Sequence, residues 1–270
     1  MRAIEERFPR PSVMGVVNVT PDSFSDGGAN FRAEDAIASA RQMVADGAAI
    51  VDVGGESTRP GAAPVSLDEE LGRVLPVLEV VAGELPVSID TAKAEVARRA
   101  VELGAELVND VTAFRADPQM AETVAAAGTY LCLMHMQGEP RTMQANPTYE
   151  DVVSEVSAFL EERLRFAVAA GVAEERICLD PGIGFGKTVE HNFELIRRLD
   201  ELTALGRPLV VGFSRKRSLG RVLGDPDATT GPLSASIAAT VAAYERGATI
   251  LRVHDVREHV EALTVARAVV

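Results

Sequence analysis

Short apolar runs alternate with longer stretches of helical periodicity along the whole chain. The runs at 13–18, 49–53, 86–90, 106–110, 129–135, 176–180, 208–213 and 249–254 read as strands. Ile50-Val51 and Leu209-Val210-Val211 are continuously apolar rather than alternating. That is the pattern of parallel strands buried on both faces. Between them, 34–46, 68–82, 92–103, 118–127, 150–170, 191–203 and 232–246 carry the helical pattern, and 256–269 closes the chain. Gly47, Gly104, Gly128, Gly171 and Gly247 stand where a helical pattern stops before a strand, the place of a left-handed C-cap. Eight β–α units in unbroken succession predict an α/β fold, a closed (β/α)8 TIM barrel, with an open doubly wound sheet as the alternative. No linker or low-complexity tract divides the chain, so residues 1–270 read as a single barrel domain.

The ends of these strands change the picture. They carry Asn18, Asp52, Asp90, Asn109 with Asp110, His135, Asp180, Ser214 with Lys216, and Arg252 with His254. Taken singly, each has a bland explanation. Asp90 and Asn109 could cap the helices that follow. Asp52 could brace its loop, and His135 could be a satisfied interior histidine. Taken together, they put polar groups on one rim, and burying unpaired carboxylates is costly. In a barrel, that rim is where active sites lie.

Three loops after these strands carry chemistry. Asn18-Val19-Thr20-Pro21-Asp22-Ser23-Phe24-Ser25-Asp26-Gly27-Gly28 is polar and rich in glycine. Gly54 to Gly61 holds Arg59, whose fork suits phosphate or carboxylate. Asp180-Pro181-Gly182-Ile183-Gly184-Phe185-Gly186-Lys187-Thr188 fits neither the phosphate loop nor the dinucleotide fingerprint. Its glycines read instead as positions where the backbone passes close to a flat ligand, with Phe185 against the ligand's face. Ser214-Arg215-Lys216-Arg217 adds a basic cluster after a buried strand.

Composition narrows the partners. Of 270 residues, 27 are basic and 40 acidic, a net charge of −13, which argues against nucleic acid or an anionic membrane. No apolar run approaches the ~20 residues that span a bilayer. The first residues are charged and do not resemble a signal peptide. Cys132 and Cys178 sit in apolar runs and read as buried free thiols, so the expectation is a cytoplasmic protein.

The motifs together resemble the dihydropteroate synthases, a family of pterin-binding barrels. Asn18 to Gly28, Gly54 to Gly61, Ser88-Ile89-Asp90-Thr91 and Val108-Asn109-Asp110 carry the resemblance. It continues through Met134-His135-Met136-Gln137-Gly138, Asp180 to Lys187, Ser214-Arg215-Lys216 and Arg252-Val253-His254-Asp255-Val256. It implies a homodimeric (β/α)8 barrel that joins p-aminobenzoate to 6-hydroxymethyl-7,8-dihydropterin diphosphate and releases pyrophosphate with Mg²⁺. It implies that Asp90, Asn109, Val111, Met134, Asp180, Phe185, Gly212 and Lys216 hold the pterin. It gives the diphosphate to Asn18, Arg59, Arg252 and His254, with Asn18 at the metal. It gives p-aminobenzoate to Phe24, Thr58, Pro60, Phe185, Lys216 and Arg217, and the chemistry to Asp90, Lys216, Arg59 and Asp180. Two alternatives accompany this reading: a catalytically weak paralogue, and a folate-docking module of a methyl-transfer system. The docking module would have no need of Lys216 or of a basic loop at Thr58-Arg59-Pro60.

Overall fold

A computed structural model describes residues 1–20, 29–58 and 61–269. Helix α1 (Ile4–Arg7) precedes β1 (Ser12–Asn18), and α2 (Ala29–Ala45), β2 (Ile50–Gly54), α3 (Leu67–Val81) and β3 (Val87–Asp90) follow. Next come α4 (Ala94–Glu102), β4 (Leu107–Asp110), α5 (Met120–Ala127), β5 (Tyr130–Met134), α6 (Val152–Ala169) and β6 (Ile177–Asp180). The chain continues through α7 (Val189–Arg197), α8 (Leu199–Leu202), β7 (Leu209–Val211), α9 (Arg217–Val222), α10 (Leu233–Glu245), β8 (Ala248–Val253) and α11 (Val256–Val269). Each expected strand is present. The strands close in sequence order, β1 beside β2 round to β8 beside β1, and all pairs are parallel.

Side-chain parity sorts the core into two bodies. Val51, Val53, Ile89, Val108, Leu131, Leu133, Leu179 and Leu251 point outward and pack under the helices. Met14, Ile50, Leu107, Tyr130, Cys132, Cys178, Val210 and Ile250 point into the barrel. Ile4 and Phe8 of the N-terminal segment plug the barrel from below, and the Phe8 ring meets Tyr130 edge-on at 5.8 Å. Each such fully buried side chain contributes about 1.5–3 kcal/mol. The lower barrel is therefore a sealed apolar floor, and residues two positions further along each strand rise above it.

Two details depart from the expected pattern. The helix foreseen at 191–203 breaks at Arg198 into α7 and α8, which lets both Leu199 and Leu202 reach the core. The short helix α9 follows the basic cluster after β7, where no helical periodicity pointed to one. The five C-cap glycines have φ between 60° and 112°, as their positions require.

Candidate active site

Above the apolar floor the strand ends enclose a narrow cavity. In-register pairing puts Gly54, Asp90 and Asn109 side by side, and Met134 beside Asp180. Asp90, Asn109, Asp180, Lys216 and Arg252 are its polar lining. Val111, Met134, Ile183, Phe185, Gly212 and Thr58 complete the wall. Val111, Met134, Met136 and Met143 form a separate apolar cluster with Phe185 packed on it. The cavity is thus a slot with one soft apolar wall and a hydrogen-bonding edge. A more open groove of about 630 Å³ lies between the start of α6 and α7, away from the strand ends. It gathers none of the strand-end polar groups.

A charge network closes the bottom of the slot. Arg252 donates from Nε to Asp52 Oδ2 at 2.7 Å and from a terminal nitrogen to Asp90 Oδ2 at 2.8 Å. Asn109 Nδ2 donates to the same Asp52 oxygen at 2.9 Å. Burial pulls Arg252 down, but Asp52 and Asp90 outweigh it and hold the guanidinium above its ordinary value. Asp90 is pushed up to about 7 by burial, with Arg252 opposing and Asp52 adding to the rise. Two of the five N–H donors of Arg252 are therefore committed to carboxylates. Arg252, read from the sequence as a diphosphate partner, thus also serves the protein itself. It keeps two buried carboxylates in one barrel.

Asp180 and the following turn form the opposite edge. Asp180 Oδ1 accepts the Gly182 amide at 2.7 Å. Burial raises its pKa, opposed by that amide and by Lys216, Arg252 and Lys187. Lys216 Nζ stands 4.3 Å from the centre of the Phe185 ring. The glycines of this turn also answer to the protein itself. A side chain at Gly182 would run into the His135 carbonyl, and one at Gly186 into the Gln137 carbonyl. At Gly184 it would press Lys216 Cδ at 3.2 Å. The turn is pressed against its own protein, which fixes Phe185.

Several strand-end residues face elsewhere. Asp110 is the outward neighbour of Asn109 and accepts from the Thr112 and Phe114 amides and the Thr112 hydroxyl. His135, the outward neighbour of Met134, packs edge-on to Phe159 at 4.8 Å. Both are loop braces. His254 pairs with Ser214 Oγ at 3.2 Å. Burial, then Arg252, Arg215 and Lys216, push it down to about 3. Burial and the cations beside it thus favour the neutral imidazole. Asn18 ends β1, half-buried, and Arg217 opens α9; neither lines the slot. Phe24, Arg59 and Pro60 lie outside the described residues.

Sequence reasoning missed a strap beside Thr58. Lys93 Nζ binds Glu56 Oε2 at 2.6 Å and Glu70 Oε2 at 2.5 Å. Thr91 Oγ1 donates to the other Glu70 oxygen at 2.7 Å, and the Val65 amide donates to Glu56. Glu70 is fully buried. The loop after β2 is thereby tied to α3 and to the start of α4. A carboxylate at a core-facing helix position was the available signal.

Comparison with known proteins follows the same residues. A model of the pterin binding enzyme family matches residues 14–254. The dihydropteroate synthase of Escherichia coli strain K12 is 49% identical over 263 residues, covering 96% of this chain and 91% of its own. A Xanthomonas albilineans dihydropteroate synthase solved with 4-aminobenzoic acid superposes with a TM-score of 0.89 at 47% identity, covering 97% of this chain and 94% of its own. The same organism's enzyme in complex with 7,8-dihydropteroate superposes at 0.86 with 44% identity, covering the same shares. With a polar-edged slot at the strand ends of a closed barrel, and likeness along nearly its whole length, this chain belongs to the pterin binding enzymes, within the dihydropteroate synthase family.

Proposed function

We propose that the chain joins 6-hydroxymethyl-7,8-dihydropterin diphosphate to p-aminobenzoate, giving 7,8-dihydropteroate and pyrophosphate. One observation carries this reading. Asp90, Asn109, Val111, Met134, Asp180, Phe185, Gly212 and Lys216, gathered from the ends of five successive strands and the loops after them, line a single slot. A flat pterin has an apolar face and an edge of alternating donors and acceptors. The slot has an apolar wall of Val111, Met134 and Phe185 and an edge of Asn109, Asp180 and Lys216. Asp180 accepts from ring donors and Lys216 donates to an acceptor. The ligands of the Xanthomonas structures correspond to one substrate and the product of this reaction.

The reaction asks little of acids and bases. Pyrophosphate leaves a carbon attached to an electron-rich ring, so positive charge grows on the pterin. Asp90 and Asp180 stand where carboxylates favour that charge. The arylamine is a competent nucleophile, so substitution is read as dissociative, with no covalent enzyme intermediate. Arg59 and Arg252 would meet the leaving diphosphate, and neutral His254 would donate a hydrogen bond to it.

Magnesium fits this arrangement as a substrate-borne ion. Among the described residues no three carboxylates, imidazoles or thiols converge on a cation site. Mg²⁺ commonly keeps its waters and binds one or two protein oxygens with substrate phosphates. The Asn18 amide oxygen is the protein oxygen proposed for it, and the ion would offset charge on the departing diphosphate. A cytoplasmic homodimer is proposed with the same reading. Buried free Cys132 and Cys178 support the compartment, and exposed Val222 and Leu223 beside the α7 groove support a second copy. No helix among the described residues is long and apolar enough to cross a membrane.

The test is pyrophosphate release from the pterin diphosphate, with and without p-aminobenzoate. Release that depends on p-aminobenzoate and matches dihydropteroate formed is the expected outcome. A folded protein that releases none, or releases it regardless of p-aminobenzoate, overturns the reading.

A further inference from the structure

The turn after β6 ends in a lysine that the slot does not use. Lys187 is 2% exposed, yet no carboxylate is bonded to it. Its Nζ meets His135 Nδ1 at 2.8 Å, Gly182 O at 3.0 Å and Phe185 O at 3.0 Å. An ammonium has three N–H donors and no acceptor. The His135 carbonyl, at 3.5 Å, is a fourth and longer acceptor. Burial pushes Lys187 down to about 7, with Asp180 opposing; in its ammonium form it donates to His135, which then presents a lone pair at Nδ1 and carries its ring proton on Nε2. Burial, then the charges of Lys187 and Arg115, push His135 down to about 2, which keeps the ring neutral.

The two carbonyls belong to the turn that carries Phe185. Residues 182, 184 and 186 all have left-handed φ, at 68°, 84° and 61°. Such a turn has no sheet or helix ladder to hold it, and side chains do that work. Tyr149 Oη donates to Gly186 O at 2.8 Å, and Asn192 Oδ1 accepts the Gly184 amide at 2.7 Å. Lys187 secures the remaining corner, on either side of Ile183 and Phe185 where they line the slot. Burying a lysine nitrogen with no bonded counter-ion is costly, and the cost shows in the lowered pKa of Lys187. Packing alone would be served better by methionine.

We propose that Lys187 is a positioning residue: backed by His135, its amino group clamps the 182–186 turn and sets where the Phe185 ring stands against the substrates. The clause about substrates rests on the function proposed above; the clamp itself does not.

The test compares Lys187→Met, close in length, and His135→Phe, which keeps a ring against Phe159, with the parent protein. Amide hydrogen exchange of segment 182–188 is measured without ligand. It should quicken about tenfold or more in both variants while the barrel strands stay protected. In steady-state pyrophosphate release, the KM for p-aminobenzoate should rise about tenfold while kcat stays within about threefold. Both changes cut one clamp, so the double variant should be no worse than Lys187→Met. Unchanged exchange overturns the clamp, as do additive losses or an equal fall in every parameter with general loss of protection. If Lys187→Met fails to fold, His135→Phe decides alone. An inactive parent protein would sink the proposed function, yet the exchange measurement would still judge the clamp.

Discussion

Asp180 shows how much one carboxylate is asked to do. It ends a buried strand, fixes the Gly182 amide and lines the slot. Asp180→Asn keeps the shape but replaces one acceptor oxygen with a donor. Ring donors of a pterin would then face an N–H group. The expected loss of pterin affinity is about 2–4 kcal/mol, the range for a buried charged partner removed. Isothermal calorimetry on the folded variant checks it; parental affinity would reject the edge assigned to Asp180. At this same scale, adjacent residues proved hardest to read. Asn109 and Asp110 are both polar, and His135 stands between Met134 and Met136; only the pleat decides which points inward. Sequence shows the pair but not the phase. Lys187 was hidden for another reason: most of its acceptors are carbonyls, invisible until the glycine turn is folded.

At the scale of elements, the strands were legible because parallel strands buried on both faces leave continuous apolar runs. Their order round the barrel followed from eight right-handed β–α units. Contacts between one unit's loop and the next unit's helix were not legible, because no local pattern records them. The strap from Glu56 through Lys93 to Glu70 is such a contact. Burial pulls Lys93 down, but Glu56 and Glu70 outweigh it, so the ammonium is fully charged at neutral pH. Lys93→Met would leave Glu70 fully buried with Thr91 as its remaining side-chain partner among the described residues. The expected destabilisation is about 2–4 kcal/mol in urea at pH 7, below the upper range for a buried pair because Lys93 is partly exposed. Glu70→Gln in that background should restore much of it, since the uncompensated charge is then gone. Additive losses in the double variant would show that the three residues are not coupled. The strap also holds the backbone beside Thr58, so the KM for p-aminobenzoate should rise in Lys93→Met more than kcat falls.

For the molecule as a whole, charge sets how substrates arrive. The chain carries −13, and the proposed diphosphate substrate is itself an anion. Among the described residues, two of the cations near the mouth are already paired: Arg252 with Asp52 and Asp90, and Arg215 with Asp255 at 2.5 Å. At about 0.01 M salt the screening length is about 30 Å, so the approaching anion feels the whole acidic surface. Near 0.15 M it falls to about 8 Å, and only groups at the slot, Lys216 among them, still act. Association of the pterin diphosphate should therefore quicken with added salt, by about three- to tenfold across that range. Basic, electrostatically steered enzymes show the reverse. Stopped-flow association without added Mg²⁺ measures it, and the pterin alcohol lacking the diphosphate is the control, with a rate nearly independent of salt. A rate that falls steadily with salt for the diphosphate would mean that cations near the mouth dominate the long-range field. The acidic surface would then be electrostatically irrelevant to substrate capture.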